Sequence, residues 1–398
     1  MSEISLDSFQ PLRLTQARLS KQFSKATLAN HLNVTSEDVS IWESGQQQPD
    51  DFTLKALRQA LDMPVHWFSK SVVDYGPGTY FFHCKSDNPV IYQMACTLLN
   101  WLAELSLTLQ QWLVCPDVIL PLNEQPFQSL SDREIEHLAA ECRELAGTGP
   151  GPVGDVLLAL ENCGVHCATY TLDLPYPITI ARWYEKYQRP CVLIGQDGTN
   201  GFNTRFETAR ALGHLVLHAS VSIEDQQQNH NALKQQADLF AACFLMPRAF
   251  VKAQILWPDI DIFFYFHPRW KVSIKTLILR AHQIQIIDDH QKQELLCEYE
   301  KRGWKEKEPF DDRLPFESTR LLLRAIHILI DQSLINKTEL LESLGLSDTL
   351  CERLCNLTPG YFQDHPPKAL NLVELKAAGT RSFHYFDKPA QVHSLKKA

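Results

Sequence analysis

Residues 205–218 read Arg-Phe-Glu-Thr-Ala-Arg-Ala-Leu-Gly-His-Leu-Val-Leu-His. A hydrolytic zinc helix of the H-E-x-x-H kind sets two imidazoles four residues apart on one face, with a glutamate between them as general base. Here those three positions read Arg210, Ala211 and His214. A guanidinium stays protonated and has no lone pair for a metal, and a methyl group accepts no proton. His214 and His218 are themselves four apart, with Glu224, Asp225 and His230 following, but the apolar Leu215 offers no base beside His214. The expectation is a helix of this shape with no catalytic residue, no metal and no cofactor.

The stretch Phe206 to His218 resembles the "F-x-x-A-H-E-L-G-H-L-L-L-H" helix of the ImmA/IrrE family of metallo-endopeptidases. That family continues with "E-x-x-A-N-x-F-A-x-x-L-L-M-P", whose Glu is its third zinc ligand, and this chain has Lys234-Gln-Gln-Ala-Asp-Leu-Phe-Ala-Ala-Cys-Phe-Leu-Met-Pro247. The resemblance implies an α+β, zincin-like domain over residues 127–265 and puts Lys234 at the third-ligand position. Of the four catalytic positions, Arg210, Ala211, His214 and Lys234, only the histidine is kept. Two cations in place of ligands repel a divalent metal, so the expectation is a pseudo-metallopeptidase. Arg210 and Lys234 are expected either to pair with Glu207 or Asp238, or to draw an acidic peptide or a ligand carboxylate into the cleft.

The elements before this domain begin with helices at Leu12–Gln22 and Lys25–His31, the second capped by Ser24. After the turn at Asn33-Val34, Thr35 caps a third helix, with Asp38 three residues on as in a capping box, and Gly45 ends it. Phe52–Leu61 and Met63–Phe68 complete a five-helix unit. The spacing of Ala17-Arg18, Leu28-Ala29, Val34-Thr35, Trp42-Glu-Ser-Gly45 and Pro49 resembles the Cro/repressor-like (XRE) helix-turn-helix domain. That resemblance implies phosphate contact by Lys25, base reading by Ser36, Glu37, Ser40 and Ile41, and a structural ion pair between Arg18 and Glu43; Lys21 adds phosphate attraction. Arg13, Arg18, Lys21, Lys25, Lys55 and Arg58 stand against Glu37, Asp38, Glu43, Asp50, Asp51 and Asp62, a net charge of zero. Phosphate attraction supplies most non-specific affinity, so a double-stranded operator calls for a homodimer.

Between these blocks, Val90–Val114 has apolar residues at helical spacing, with Trp101, Leu105 and Leu109 on one side and Glu104 elsewhere, which suits packing or dimerisation. Helices are expected at Asp132–Ala146 and Val153–Asn162, strands at Gly164–Thr171 and Pro190–Gly195, and further helices at Trp270–Ala281 and Gln291–Arg302. Asn336–Leu354 has a helix, glycine turn, helix rhythm and is acidic, as an interaction module would be. The chain thus divides into 1–70, a connecting region 71–126, the peptidase-like 127–265, and a helical 266–398 with a polar tail after Ala377. The fold class is multidomain and mainly α.

With 398 residues, 38 Lys plus Arg against 47 Asp plus Glu and a net charge of −9, no global positive field recruits nucleic acid. No run of about 18 apolar residues is present, and Met1-Ser-Glu-Ile-Ser-Leu-Asp lacks the basic and apolar regions of a signal peptide. The 11 cysteines sit in apolar contexts, as reduced thiols do. The expectation is a cytoplasmic DNA-binding transcriptional regulator, an autorepressor and antitoxin whose inactive peptidase-like domain senses a toxin or another ligand. The competing expectation is an active zinc endopeptidase that cleaves a repressor.

Overall fold

The computed structural model describes residues 9–86 and 88–363, so the polar tail lies outside the described residues. Four helices open it: α1 (Pro11–Ser20), α2 (Lys25–Leu32), α3 (Ser36–Ser44) and α4 (Asp51–Leu61), closed by a 3₁₀ turn at Val65–Ser69. Side chains fix their ends. The Ser24 hydroxyl accepts from the Thr27 N–H, Thr35 and Asp38 form a reciprocal capping box, and Asp50 accepts from the Thr53 N–H. Gly45 leaves α3 at φ 77°, a conformation that costs glycine nothing. The chain continues through β1 (Phe81–Cys84), α5 (Pro89–Leu109), α6 (Asp132–Leu145), α7 (Val156–Asn162), β2 (His166–Tyr170), β3 (Ile178–Tyr184) and β4 (Arg189–Gly195). It then forms α8 (Gly201–Leu217), α9 (Ile223–Gln228), α10 (His230–Leu245), α11 (Arg248–Gln254), α12 (Ile260–Trp270), α13 (Ile274–Gln283) and α14 (Asp289–Lys301), followed by α15 (Leu321–Asp331), α16 (Lys337–Leu344) and α17 (Asp348–Leu354).

The four strands make one sheet in the order β1-β3-β4-β2, with β2 parallel to β4 and the other pairs antiparallel. Helices cover both faces, which is why β4 is apolar at consecutive positions. Val192 and Ile194 face a core built with α6, α7, α8, α10, α12 and α13. Cys191 and Leu193 face a second core shared by α1 to α5 and α15 to α17. The helices before residue 70 and after residue 320 therefore meet on one side of the sheet, opposite α8.

Three expectations change. The Val90–Val114 helix ends at Leu109, and from Met94 on it exposes no residue and so is not amphipathic; Glu104 itself is buried, gripped by Arg13 through bonds of 2.9 and 2.8 Å. The helix expected from Trp270 is two helices, because Trp270 ends α12, Lys271 turns left-handed at φ 53°, and Ser273 caps α13. Pro268 lies inside α12, where its ring interrupts one bond without ending the helix. Finally, the residue pattern predicts neither β1 nor β3. β1 adds to the sheet from residues that read as a connection.

Candidate functional site

α8 begins where the Asn200 side chain accepts from the Asn203 N–H. Its inner face, Ala209, Ala211, Leu212, Leu215 and Val216, is buried in the first core. Ala211, at the position of a general base, is wholly buried. At Gly213 an added Cβ would lie 3.1 Å from Phe240 Cβ and 3.2 Å from the Ala237 carbonyl. That missing side chain lets α10 lie close against α8.

Where the two helices meet, the four charges expected there join. Arg210 Nη1 donates to Glu207 at 2.6 Å and its Nε to Asp238, while Lys234 Nζ donates to the other Asp238 oxygen at 2.8 Å. Two cations and two carboxylates cancel, and of the two expectations for Arg210 and Lys234 the arrangement seen is the pairing, with Asp238 accepting from both. The guanidinium also lies over the Phe206 ring at 5.4 Å. Burial raises the Glu207 pKa, and Arg210 acts against that rise. Arg210 is a strut between α8 and α10.

Beside the strut runs a line of imidazoles. Gln236 donates its amide N–H to the Phe127 carbonyl at 2.7 Å, which turns its oxygen to His218 Nε2 at 2.9 Å. His218 Nε2 must then carry the proton, leaving Nδ1 to accept from His214 Nδ1 at 3.0 Å. His214 Nε2 in turn accepts from His83 Nε2 at 2.7 Å. One set of neutral tautomers satisfies every bond, and burial favours it. Desolvation lowers His83 to about 3 and His218 to about 4, and holds His214 well below the usual histidine value. His83 comes from β1, and Phe81 of the same strand stacks on His214 at 4.6 Å and 12°.

A zinc ion, implied by the sequence resemblance, does not fit these residues. Two ligand positions hold ion-paired cations, and both nitrogens of His214 are engaged by histidines. His218 is bonded to Gln236 and His214, and Asp225 caps α9 with Ser222. Among the described residues no cluster of three or more His, Cys, Asp or Glu side chains has a ligating arrangement.

At the other candidate surface, Ser36 and Glu37 are exposed and Ser40 and Ile41 half-buried. Lys25 Nζ donates to Ser40 Oγ at 3.1 Å and lies 3.6 Å from Glu43, so Lys25, Ser40 and α3 come together. Arg18 holds Glu43 through bonds of 2.7 and 3.1 Å, as a structural pair does. Lys21 stands apart. Its ammonium is 3.6 Å from Asp62, whose carboxylate accepts from the Thr349 hydroxyl of α17.

Sequence reasoning missed His83, Gln236 and the cleft that α13 completes. A lone histidine in a short apolar run carries no signal of its partner 131 residues on. The cleft, about 570 Å³, lies between α8, α10 and one side of α13 from Lys275 to Gln283, with Glu207, Arg210 and Asp238 in its wall. A smaller recess of about 210 Å³ shares Glu207 and Arg210 and adds His83, His230 and Lys234. Among the described residues no helix is long and apolar enough to cross a membrane. No curated protein matches the chain. Residues 176–282, which span β3, β4, α8, α10, α12 and nearly all of α13, match the peptidase family described as the IrrE N-terminal-like domain.

Proposed function

We propose that this chain is a DNA-binding transcriptional regulator, acting as a homodimer on its own operator, whose peptidase-like domain binds a partner or ligand without cutting it. The observation that carries the reading is the Arg210 strut: a guanidinium held by Glu207 and Asp238 stands where a peptidase needs a metal ligand. An antitoxin role, with a toxin protein as the partner, follows the same reading. The DNA half is supported by the exposure of Ser36 and Glu37 on a doubly capped α3 and by Lys25 beside them. Lys25 is the cation placed to meet phosphate because it lies beside Ser40 of α3, whereas Lys21 stands by Asp62; each has one carboxylate at 3.6 Å. With so few cations on each head, two heads are needed to hold a duplex.

The test is fluorescence anisotropy with the DNA upstream of the gene, over a range of salt. Lys25→Ala should weaken binding to every sequence and lower the salt slope, and Glu37→Gln should change sequence preference. Binding unaltered by either change would remove the DNA reading. Elemental analysis of protein purified without chelator tests the other half, since stoichiometric zinc that disappears in His214→Ala would overturn it.

A further inference from the structure

The 570 Å³ cleft has an uneven lining. One wall is apolar, formed by Phe202, Phe206, Leu239, Ala242 and Leu279, and Leu279 is 44% exposed. Most charges around it are already matched. Glu207, Arg210, Asp238 and Lys234 satisfy one another, and Arg280 donates to Glu136 at 2.7 Å. Lys85 and Lys275 differ: among the described residues neither ammonium has a carboxylate within ion-pair distance. Both also line the adjoining recess of about 600 Å³, so they stand where the two hollows meet. Three of the four acids that line that recess, all but the exposed Glu306, are otherwise engaged. Glu308 accepts the Ile274 and Lys275 backbone N–H groups and the Tyr299 hydroxyl, Asp311 accepts the Glu308 N–H, and Asp312 lies 3.8 Å from Lys307.

We propose that this cleft binds a small organic anion, with a hydrocarbon body on the Phe206–Leu239–Leu279 wall and a carboxylate or phosphate head at Lys85 and Lys275. The inference rests on the peptidase-like domain being a binder. The cleft volume falls in the range of small-molecule pockets, about 300–1,000 Å³. An apolar body gains by leaving water. Lysine ammonium groups act as point charges with three donors each, so they take a carboxylate or a phosphate without demanding one head geometry.

Isothermal titration of the full-length protein with octanoate, octyl phosphate and octanol, without DNA, tests the proposal. Either anion should bind roughly threefold or more tightly than octanol, as expected of exposed charge pairs, and the preference should shrink in high salt. It should vanish in the Lys85→Ala/Lys275→Ala double variant, with octanol binding unchanged. Leu279→Glu, at a half-exposed position that tolerates a charge, should abolish anion binding. Octanol binding as tightly as the anions, or anion binding unaltered by both variants, would overturn the proposal, as would no binding by either anion at millimolar concentration. Because DNA takes no part in the titration, each of these failures would leave the operator reading standing.

Discussion

Arg13 and Arg210 each grip carboxylates, and the difference between their settings separates a fastener from a cleft wall. Arg13 is wholly buried between α1 and α5 and uses all five donors, on Gln16, the Lys70 and Ser71 carbonyls, and both oxygens of Glu104. Lys70 and the Tyr75 hydroxyl complete the Glu104 shell at 3.1 and 3.2 Å. Arg210 directs Nε and Nη1 to Asp238 and Glu207, which keep 30% and 23% of their side chains in solvent, and Lys234, the second donor to Asp238, keeps 42%. The same chemistry is thus closed in one place and open in the other. Removing a partner from the closed cluster strands a charge without water, whereas the open cluster can be rehydrated.

The sharpest way to break this comparison is Glu104→Ala. Orphaning Arg13 is expected to cost about 3–5 kcal/mol, read as a lowered midpoint in urea with no change in slope. A loss below about 1 kcal/mol, the level of an ordinary exposed ion pair, would mean that the closed cluster holds nothing together.

Acid is the next largest perturbation, because it reaches the imidazole line beside the open cluster. His83 and His218 are depressed in the folded state to about 3 and about 4, from 6.5. Below pH 6.5 the unfolded chain therefore binds protons that the folded one refuses. The stability these imidazoles contribute is complete above pH 6.5 and drains away as pH falls toward 4 and then 3. At about 1.4 kcal/mol per unit for each group, the loss is on the order of 2–4 kcal/mol by about pH 5. Melting temperatures measured from about pH 7 down to about pH 4.5 check it, and a flat profile would contradict neutral, buried imidazoles.

Arg210→Ala should do less, about 1–2 kcal/mol, since Glu207 and Asp238 can recruit water and Lys234 still serves Asp238. If Arg210→Ala destabilised the protein as much as Glu104→Ala, the open cluster would be a fastener too, and the distinction would collapse.

The legible parts of the molecule are those written in local spacing. The Thr35–Asp38 box, the Ser24 cap, the turn at Gly45 and the helix pair around Arg210 and Lys234 each depend on residues a few positions apart, and each forms. So does the helix, glycine turn, helix of residues 337–354. The two strands that the pattern hides depend on distance along the chain. β1 has four residues and no alternation strong enough to stand out, and its partner β3 lies about a hundred residues later with Arg182 in its middle. With β1 goes His83, and with His83 the account of where the His214 lone pair points. The charge of the cleft is obscured for a related reason: Arg210 and Lys234 read as cations at ligand positions, while a single Asp238 accepts from both.

The second core also bears on how the chain folds as it is synthesised. Leu14, Leu28 and Val39 share that core with Ile180 and Leu193 of the sheet and with Ala325, Ile326 and Leu329 of α15. A nascent chain that has released residues 1–109 holds the first helices and α5 but only β1 of the sheet they cover, and α15 to α17 follow everything they pack on. Domains generally fold as units once their parts have emerged. The opening helices therefore wait with an apolar side uncovered until the sheet and then α15 appear, and a ribosome that stops before α15 releases a chain whose second core is still open to water.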